Sequence, residues 1–274
     1  MPADFEIKEL PLSSRIIRGK VEQFLCENGL ALEDLDYCAG VFCGDEMLAT
    51  GGFSENIMKC VAVAASAREY NLANRLVSHL RSVGQERGYD NIFVFTKPEN
   101  ENIFKSLAFN LVGKSTKAIL MESNPYGISD YCQTLSKSRR KGTNGCIVMN
   151  CNPMTLGHRY LVEKAAKSVD ALHIIPVQED RSEFSYGDRL QMVKDGVADL
   201  KNVIVHQGGK YVISSATFPN YFIKEANEIS NAQIELDLNI FTSYIAPALG
   251  ISVRFAGTER SDKLTCRYNE VMKS

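Results

Sequence analysis

The feature that most limits how this chain can fold is its second half, where strand-length apolar runs alternate with helix-period segments. Cys146-Ile147-Val148-Met149 is a continuous apolar run of the kind found in central parallel strands, which are buried on both faces. A loop over Asn150 to Gly157 leads into a helix with Leu161, Val162, Ala165 and Ala166 on one face. Leu172 to Val177 is the next strand. Ser185-Tyr186-Gly187-Asp188 has the form of a capping box and opens a helix through Met192 and Val197. Val203-Ile204-Val205 is a third strand. Ile240, Phe241, Tyr244, Ile245 and Ala248 give a helical face closed by Gly250, and Ile251 to Phe255 is a fourth strand. Such alternation calls for crossover connections, hence a doubly wound parallel sheet. Ligands of such sheets sit beyond the carboxyl ends of the strands.

A chain of 274 residues is too long for one ordinary α/β core and suits two. The first region is of mixed α+β type. Tyr37 to Cys43, the turn Gly44-Asp45-Glu46 and Met47 to Phe53 read as a hairpin, followed by a strand over Ile57 to Val63. Leu72, Ala73, Leu76, Val77, Leu80 and Val83 recur at helical spacing up to Gly88, and Ile92 to Thr96 is a buried strand. Residues 123–144 hold Pro125, Gly127, several serines and the basic run Lys137-Ser138-Arg139-Arg140-Lys141. Their first part could start a helix, but as a whole they read as a boundary. The organisation expected is a first domain over 1–122, a linker over 123–144 and a second domain over 145–274.

Lys+Arg 31 against Asp+Glu 33 leaves a net charge of −2 with no basic face, which argues against nucleic acid as the main partner. The apolar runs are strand-length, so no membrane span is expected. Met1 to Glu6 has neither the basic start nor the apolar core of a secretion signal. Cys26, Cys38, Cys43, Cys60, Cys132, Cys146, Cys151 and Cys266 include no Cys-x-x-Cys pair, and the four histidines do not join them at ligand spacing. Scattered thiols of this kind fit a reducing cytoplasm and mostly small buried apolar roles, with no metal site.

The chemistry lies in Asn150-Cys151-Asn152-Pro153-Met154-Thr155-Leu156-Gly157-His158, directly after the buried strand. A strand–loop–helix junction offers unpaired N–H groups and the positive end of a helix, together a phosphate site. Gly157 lets the backbone approach a ligand, and Thr155 and His158 add side-chain donors. A capped helix with a chance histidine is the plainer alternative; the placement after a buried strand, with Asn152-Pro153 ahead of it, favours the phosphate site.

Asn152-Pro153-x-Thr155-x-Gly157-His158 resembles the T/H-x-G-H signature of the nucleotidylyltransferase superfamily, whose second-domain counterpart is a Rossmann-like fold. Gly145 to Pro153, Gly157 to Leu161, Tyr211 to Pro219, Tyr221 to Lys224, Ala246 to Gly250, Gly257-Thr258-Glu259 and Tyr268-Asn269 resemble the citrate lyase ligase family over nearly the whole chain. The resemblance implies that ATP is split to AMP and diphosphate, with Mg²⁺, to make acetyl-adenylate. The acetyl group then passes to the thiol of a CoA-derived prosthetic group on the acyl carrier subunit, which switches citrate lyase on. It further implies that His158 and Thr155 carry the first step, that Asn152, Pro153 and Gly157 bind phosphate, and that Arg189 borders the nucleotide. Gly257, Thr258 and Glu259 are implied to hold adenosine. Ser214, Ser215 and Thr217 would cap a helix or border acetate or the thiol arm; Lys224 would face solvent or counter a phosphate, and Arg189 reads equally as a surface arginine pairing with Asp188 or Asp195.

The first region resembles a GCN5-type N-acetyltransferase, with Arg68-Glu69-Tyr70-Asn71-Leu72-Ala73 as the diphosphate turn and Asn71 where glycine is usual; Asn102 and Phe109 match more loosely. The departures imply docking of the prosthetic arm or the carrier subunit, or a purely structural domain, in place of acetyl transfer from CoA. Nothing after Thr258 matches the superfamily's second phosphate motif, and Arg260 stands where the family often has proline. The expectation is a chain short of the family's C-terminal region and weakened in turnover. Two other readings stay open here: an adenylyltransferase acting on a phosphorylated small molecule, and a non-turning nucleotide-binding regulator.

Overall fold

The computed structural model describes residues 5–178, 183–213, 217–219, 221–223, 225–257 and 267. Two compact units result: Met1–Pro125 with Pro219–Ile229, and Tyr126–Phe218 with Ser230–Ser274. Ser214, Ser215, Lys224, Thr258, Glu259 and Arg260 lie outside the described residues.

The first unit runs β1 (Phe5–Glu9), α1 (Arg15–Glu27), β2 (Tyr37–Cys43), β3 (Glu46–Ser54), β4 (Ile57–Val63), α2 (Leu72–Glu86), β5 (Phe93–Thr96), α3 (Glu101–Ser106), β6 (Asn110–Lys114) and β7 (Ile119–Glu122). Its sheet has the order β1-β2-β3-β4-β5-β7-β6 and is antiparallel except for the β4–β5 pair. The β2–β3 hairpin closes on Gly44-Asp45, with Cys43 paired to Glu46. Gly44 has φ +59°, a left-handed backbone that costs glycine nothing because it has no Cβ. The apolar stripe of α2 sets Leu72, Leu76, Val77 and Leu80 against Ala39, Val41, Phe53 and Met58. Each such large side chain contributes roughly 1.5–3 kcal/mol on burial.

Asn71, at the N-cap of α2, takes the left-handed conformation (φ 55°, ψ 30°), which asparagine tolerates better than most residues. Phe109 is a core residue, edge-on to Phe104 at 5.7 Å, and Asn102 is exposed. The segment Pro219–Ile229 completes this unit from far along the chain. The Tyr221 carbonyl accepts from the Ala31 N–H at 3.0 Å, and its hydroxyl donates to the Phe95 carbonyl at 2.8 Å.

The second unit holds α4 (Gly127–Ser136), β8 (Asn144–Met149), α5 (Leu156–Ala166), β9 (Ala171–Pro176), α6 (Tyr186–Gly196) and β10 (Val203–Val205). From Ser230 it continues with the rest of α7 (Ala226–Ile240), a π-helical turn (Phe241–Ile245), α8 (Ala246–Leu249) and β11 (Ile251–Arg254). The helix expected to end at Gly250 is thus three pieces, closed by that glycine at φ +68°. The sheet is wholly parallel, in the order β10-β9-β8-β11. Alternate residues of β8 and β9 enter two cores: Ile147, Met149, Leu172 and Ile174 meet α5 and α6, while Cys146 and Ile175 meet Leu135, Phe241, Ile245 and Leu249. The chain steps outward from β8 through β9 to β10, then returns to the other flank of β8 as β11. The strand order therefore reverses between β8 and β11, and the crevice at their carboxyl ends is where a ligand belongs. The expected fold class, a mixed α+β unit followed by a doubly wound parallel one, is the one observed.

Two histidines far apart in sequence meet inside the parallel sheet. His173 on β9 has Nδ1 2.8 Å from His206 Nε2, and its Nε2 is 3.2 Å from Asn144 Oδ1. Asn144 Nδ2 donates to the Arg140 and Gly142 carbonyls, so Oδ1 is an acceptor; His173 donates from Nε2 and accepts at Nδ1. Burial pushes both imidazoles down to about 4 from the ordinary 6.5. Below pH 6.5 the unfolded chain takes up protons that the folded chain refuses. Stability is therefore full above pH 6.5 and falls as pH drops toward 4, by about 2–3 kcal/mol per imidazole. Denaturant titrations across this window should show the fall, and His206→Gln should flatten it.

Candidate active site

The loop after β8 ends in a cap that organises its two reactive side chains. Thr155 is the N-cap of α5, in extended backbone (φ −110°, ψ 170°), and its Oγ1 accepts from the His158 N–H. In return the Thr155 N–H donates to His158 Nδ1 at 3.1 Å, and Thr155 Oγ1 lies 3.0 Å from the same nitrogen. This is a capping box with histidine where glutamate or glutamine is usual. Because Nδ1 accepts the backbone N–H, the neutral ring carries its proton on Nε2. Partial burial lowers the imidazole pKa, so His158 is neutral at pH 7 and offers Nε2–H as a donor. The cap consumes the N–H groups of Thr155 and His158. Those of Leu156 and Gly157 have no acceptor among the described residues, and both residues are exposed. Gly157 falls in the first turn of α5 and not in the loop as expected; a Cβ there would lie 3.6 Å from Thr155 Oγ1, so the helix entrance stays open.

Thr155→Ala should weaken the start of α5 by about 1 kcal/mol and let the imidazole swing. Thermal unfolding should register that loss, while Thr155→Ser keeps most of the stability.

The loop is braced from α6. Asn152 Oδ1 accepts the Phe184 N–H at 3.2 Å, and both Asn152 and Pro153 are exposed. The expected capping box at Ser185 is half formed. Ser185 Oγ accepts from the Asp188 N–H, but the Asp188 carboxylate takes the Ser185 hydroxyl and makes no return bond to the backbone. Arg189, expected to border the nucleotide, is 0% exposed. Its Nη1 donates to the Asn150 carbonyl (2.8 Å), Asn150 Oδ1 (2.6 Å) and the Val177 carbonyl (3.2 Å), and its Nε donates to the Phe184 carbonyl (3.2 Å). The chain ends leaving β8 and β9 are thereby fixed to one guanidinium. Arg159, next to His158, is likewise engaged, forked onto Asp199 at 2.6 Å on both oxygens and bonded to Glu163. On the other flank of β8, β11 pairs with it and leads to Gly257, which is exposed; a Cβ there would lie 3.9 Å from Leu161 Cδ2 on α5.

A family model described as the citrate lyase ligase C-terminal domain matches residues 144–274. A [citrate [pro-3S]-lyase] ligase of Escherichia coli strain K12 is 42% identical over 258 residues, which is 93% of this chain and 73% of the relative. The chain belongs to the citrate lyase ligase family.

A Haemophilus influenzae ligase of the same name is 39% identical, over 92% of this chain and 76% of its own. This member of the citrate lyase ligase family therefore spans about three quarters of the length of those relatives. A phosphopantetheine adenylyltransferase of Staphylococcus carnosus is 34% identical over 58 residues, 20% of this chain and 36% of the relative. Among solved structures, an acyl-CoA N-acyltransferase from Pseudomonas aeruginosa covers 44% of this chain and 99% of its own, at 13% identity and a TM-score of 0.37.

Within this ligase-family chain, Asn152, Pro153 and Thr155 lie on the loop after β8, Gly157 and His158 on the first turn of α5, and Gly257 just after β11, the strand paired with β8; Arg189 bonds to Asn150 at the start of that loop. Thr258 and Glu259 fall outside the described residues. The capping partnership of Thr155 and His158 was legible only as three-residue spacing; Arg159 gave no signal apart from its neighbour. The Cys60, Cys146 and Cys151 thiols are poor nucleophiles, since burial pushes each up to about 12. Among the described residues no group of three His, Cys, Asp or Glu side chains could hold a metal, and no helix is long and apolar enough to cross a membrane.

Proposed function

We propose that this chain joins acetate to the thiol of a CoA-derived prosthetic group on the acyl carrier subunit of citrate lyase, and so activates that enzyme. Identity of 42% across 93% of the chain supports the overall activity. The observation that carries the chemistry is the neutral His158 held at the entrance of α5 with its Nε2–H turned away from the cap.

In the first step an acetate oxygen attacks the α-phosphorus of ATP in line with the departing diphosphate. The new P–O bond forms as the bond to the bridging oxygen breaks, giving acetyl-adenylate and diphosphate. Negative charge grows on the phosphoryl oxygens, and His158 Nε2–H with the Leu156 and Gly157 N–H groups are the donors that meet it. No nucleophile from the protein is needed, since position and electrostatics suffice. Thr155 positions His158; Arg189 positions Asn150 and the loop. Asn152, Pro153, Gly157 and Gly257, with Thr258 and Glu259, are the proposed nucleotide contacts. Mg²⁺ enters with ATP on its phosphates. In the second step a thiolate attacks the acyl carbon, the C–O bond to phosphate breaks, and AMP leaves. The cytoplasm is the compartment in which ATP and a free thiol coexist.

The similarity to a phosphopantetheine adenylyltransferase favours a second reading, in which AMP is retained in a dinucleotide product. Product analysis separates the two. With ATP, Mg²⁺ and acetate, free AMP and diphosphate should appear in equal amounts once a thiol acceptor is supplied. A dinucleotide formed from a phosphorylated small molecule, with no dependence on acetate, would replace the ligase reading.

A further inference from the structure

The entry to α6 faces two ways. Phe184 and Arg189 bind the phosphate loop at Asn152 and Asn150, while the Tyr186 hydroxyl accepts the N–H of Gly208, in the segment that follows β10. That segment passes close over the sheet end. A Cβ on Gly208 would strike the carbonyl of Pro176, the last residue of β9, and a Cβ on Gly209 would come within 2.9 Å of the Tyr131 ring. Tyr131, on α4, also packs on Tyr211 with ring centroids 5.2 Å apart and planes inclined at 37°.

The Tyr131 hydroxyl oxygen is buried and has no hydrogen-bond partner among the described residues. Buried hydroxyls are nearly always paired, because an unpaired one forfeits its hydration and receives nothing in return. Burial also raises the phenol pKa, which keeps the group a donor throughout the physiological range. The site thus presents one neutral donor among aromatic rings and glycine backbone, beside the segment that crosses the end of β9. A polyanionic nucleotide needs many N–H groups and cations. A small acid with one apolar end needs one or two donors and an apolar wall.

We propose that Tyr131 is a binding residue for the acyl substrate, its hydroxyl donating to a carboxylate oxygen of a short-chain acid seated against Tyr131, Tyr211 and Gly209. The proposal rests on the ligase reading above and assigns the acid a place beside the nucleotide.

The test compares wild type with Tyr131→Phe in acetate-dependent diphosphate release and in binding of ¹³C-acetate, followed by NMR in the presence of a non-hydrolysable ATP analogue. Loss of one donor to a carboxylate should raise both the KM for acetate and its dissociation constant by about 10-fold or more, with the KM for ATP within twofold. The thermal midpoint should stay level or rise, since the variant deletes an unpaired hydroxyl; a merely structural role predicts that shift alone. If wild type turns over with acetate and the variant matches it in KM and in acetate binding, the proposal is overturned while the ligase reading stands. Wild type that neither binds acetate nor releases diphosphate overturns both.

Discussion

Replacing His158 with alanine is expected to lower acetate-dependent diphosphate release from ATP by about 10²–10³-fold, the usual cost of removing one donor aimed at developing charge. The side chain has two tasks that the alanine variant does not separate. It closes the cap of α5 through Nδ1 and, in the proposed reaction, donates from Nε2–H. Glutamine at the same helical position can reach back to the N-cap N–H, so His158→Gln keeps the cap and loses the imidazole. Both variants should therefore be similarly inactive, and the glutamine variant should melt close to wild type. Activity of the glutamine variant within tenfold of wild type would make His158 a capping residue and remove it from the chemistry.

The second large effect is on stability. Arg189 is fully buried, and its guanidinium serves three carbonyls and one side-chain oxygen on the chain leaving β8, the end of β9 and the entry to α6. Arg189→Leu leaves those oxygens without their donor in a place water does not reach. A loss on the order of 3–5 kcal/mol is expected, which lowers the thermal midpoint by roughly 10 °C. Arg189→Lys should recover only part of it, because an ammonium cannot spread its donors over the same fork. Nucleotide affinity should fall in both variants through the unbraced loop. A variant that melts like wild type but loses ATP affinity would return Arg189 to the direct nucleotide contact that the sequence analysis expected.

What could be read from the sequence is what local periodicity encodes. The run Cys146 to Met149 is the heart of β8, Leu172 to Val177 coincides with β9 to within a residue, and the apolar stripe from Leu72 to Val83 is α2. Strands buried on both faces and helices with one wet face leave these patterns whatever surrounds them. The loop after β8 was legible for the same reason, being a short motif fixed to the end of a strong strand. Local periodicity missed β1, β6 and β7, which are four or five residues long.

Partnerships made through space leave no local pattern. Tyr221 completes the first unit by bonding Ala31 and Phe95, residues more than a hundred positions earlier. Tyr131 lies within 123–144, a stretch whose serines, glycines and basic residues read as a boundary, yet it stands on α4 against Tyr211. Arg189 looked like a surface or ligand arginine because helix periodicity cannot reveal that three backbone carbonyls converge on it. His173 and His206 are separated by 33 positions and share a hydrogen bond. Of the residues expected to bind nucleotide, those on the motif lie on the loop after β8 and the first turn of α5, and Arg189 on α6 is buried against Asn150, Val177 and Phe184.

The most direct test of the central claim supplies the chain with ATP, Mg²⁺, acetate and the citrate lyase acyl carrier subunit bearing its free prosthetic thiol, and weighs the carrier by intact-mass spectrometry. The expected result is a carrier heavier by one acetyl group, labile to hydroxylamine as a thioester is, with one AMP formed per acetyl transferred and neither product seen with His158→Gln. A carrier of unchanged mass, while ATP binding is retained, would contradict the assignment of this chain as the enzyme that loads that thiol.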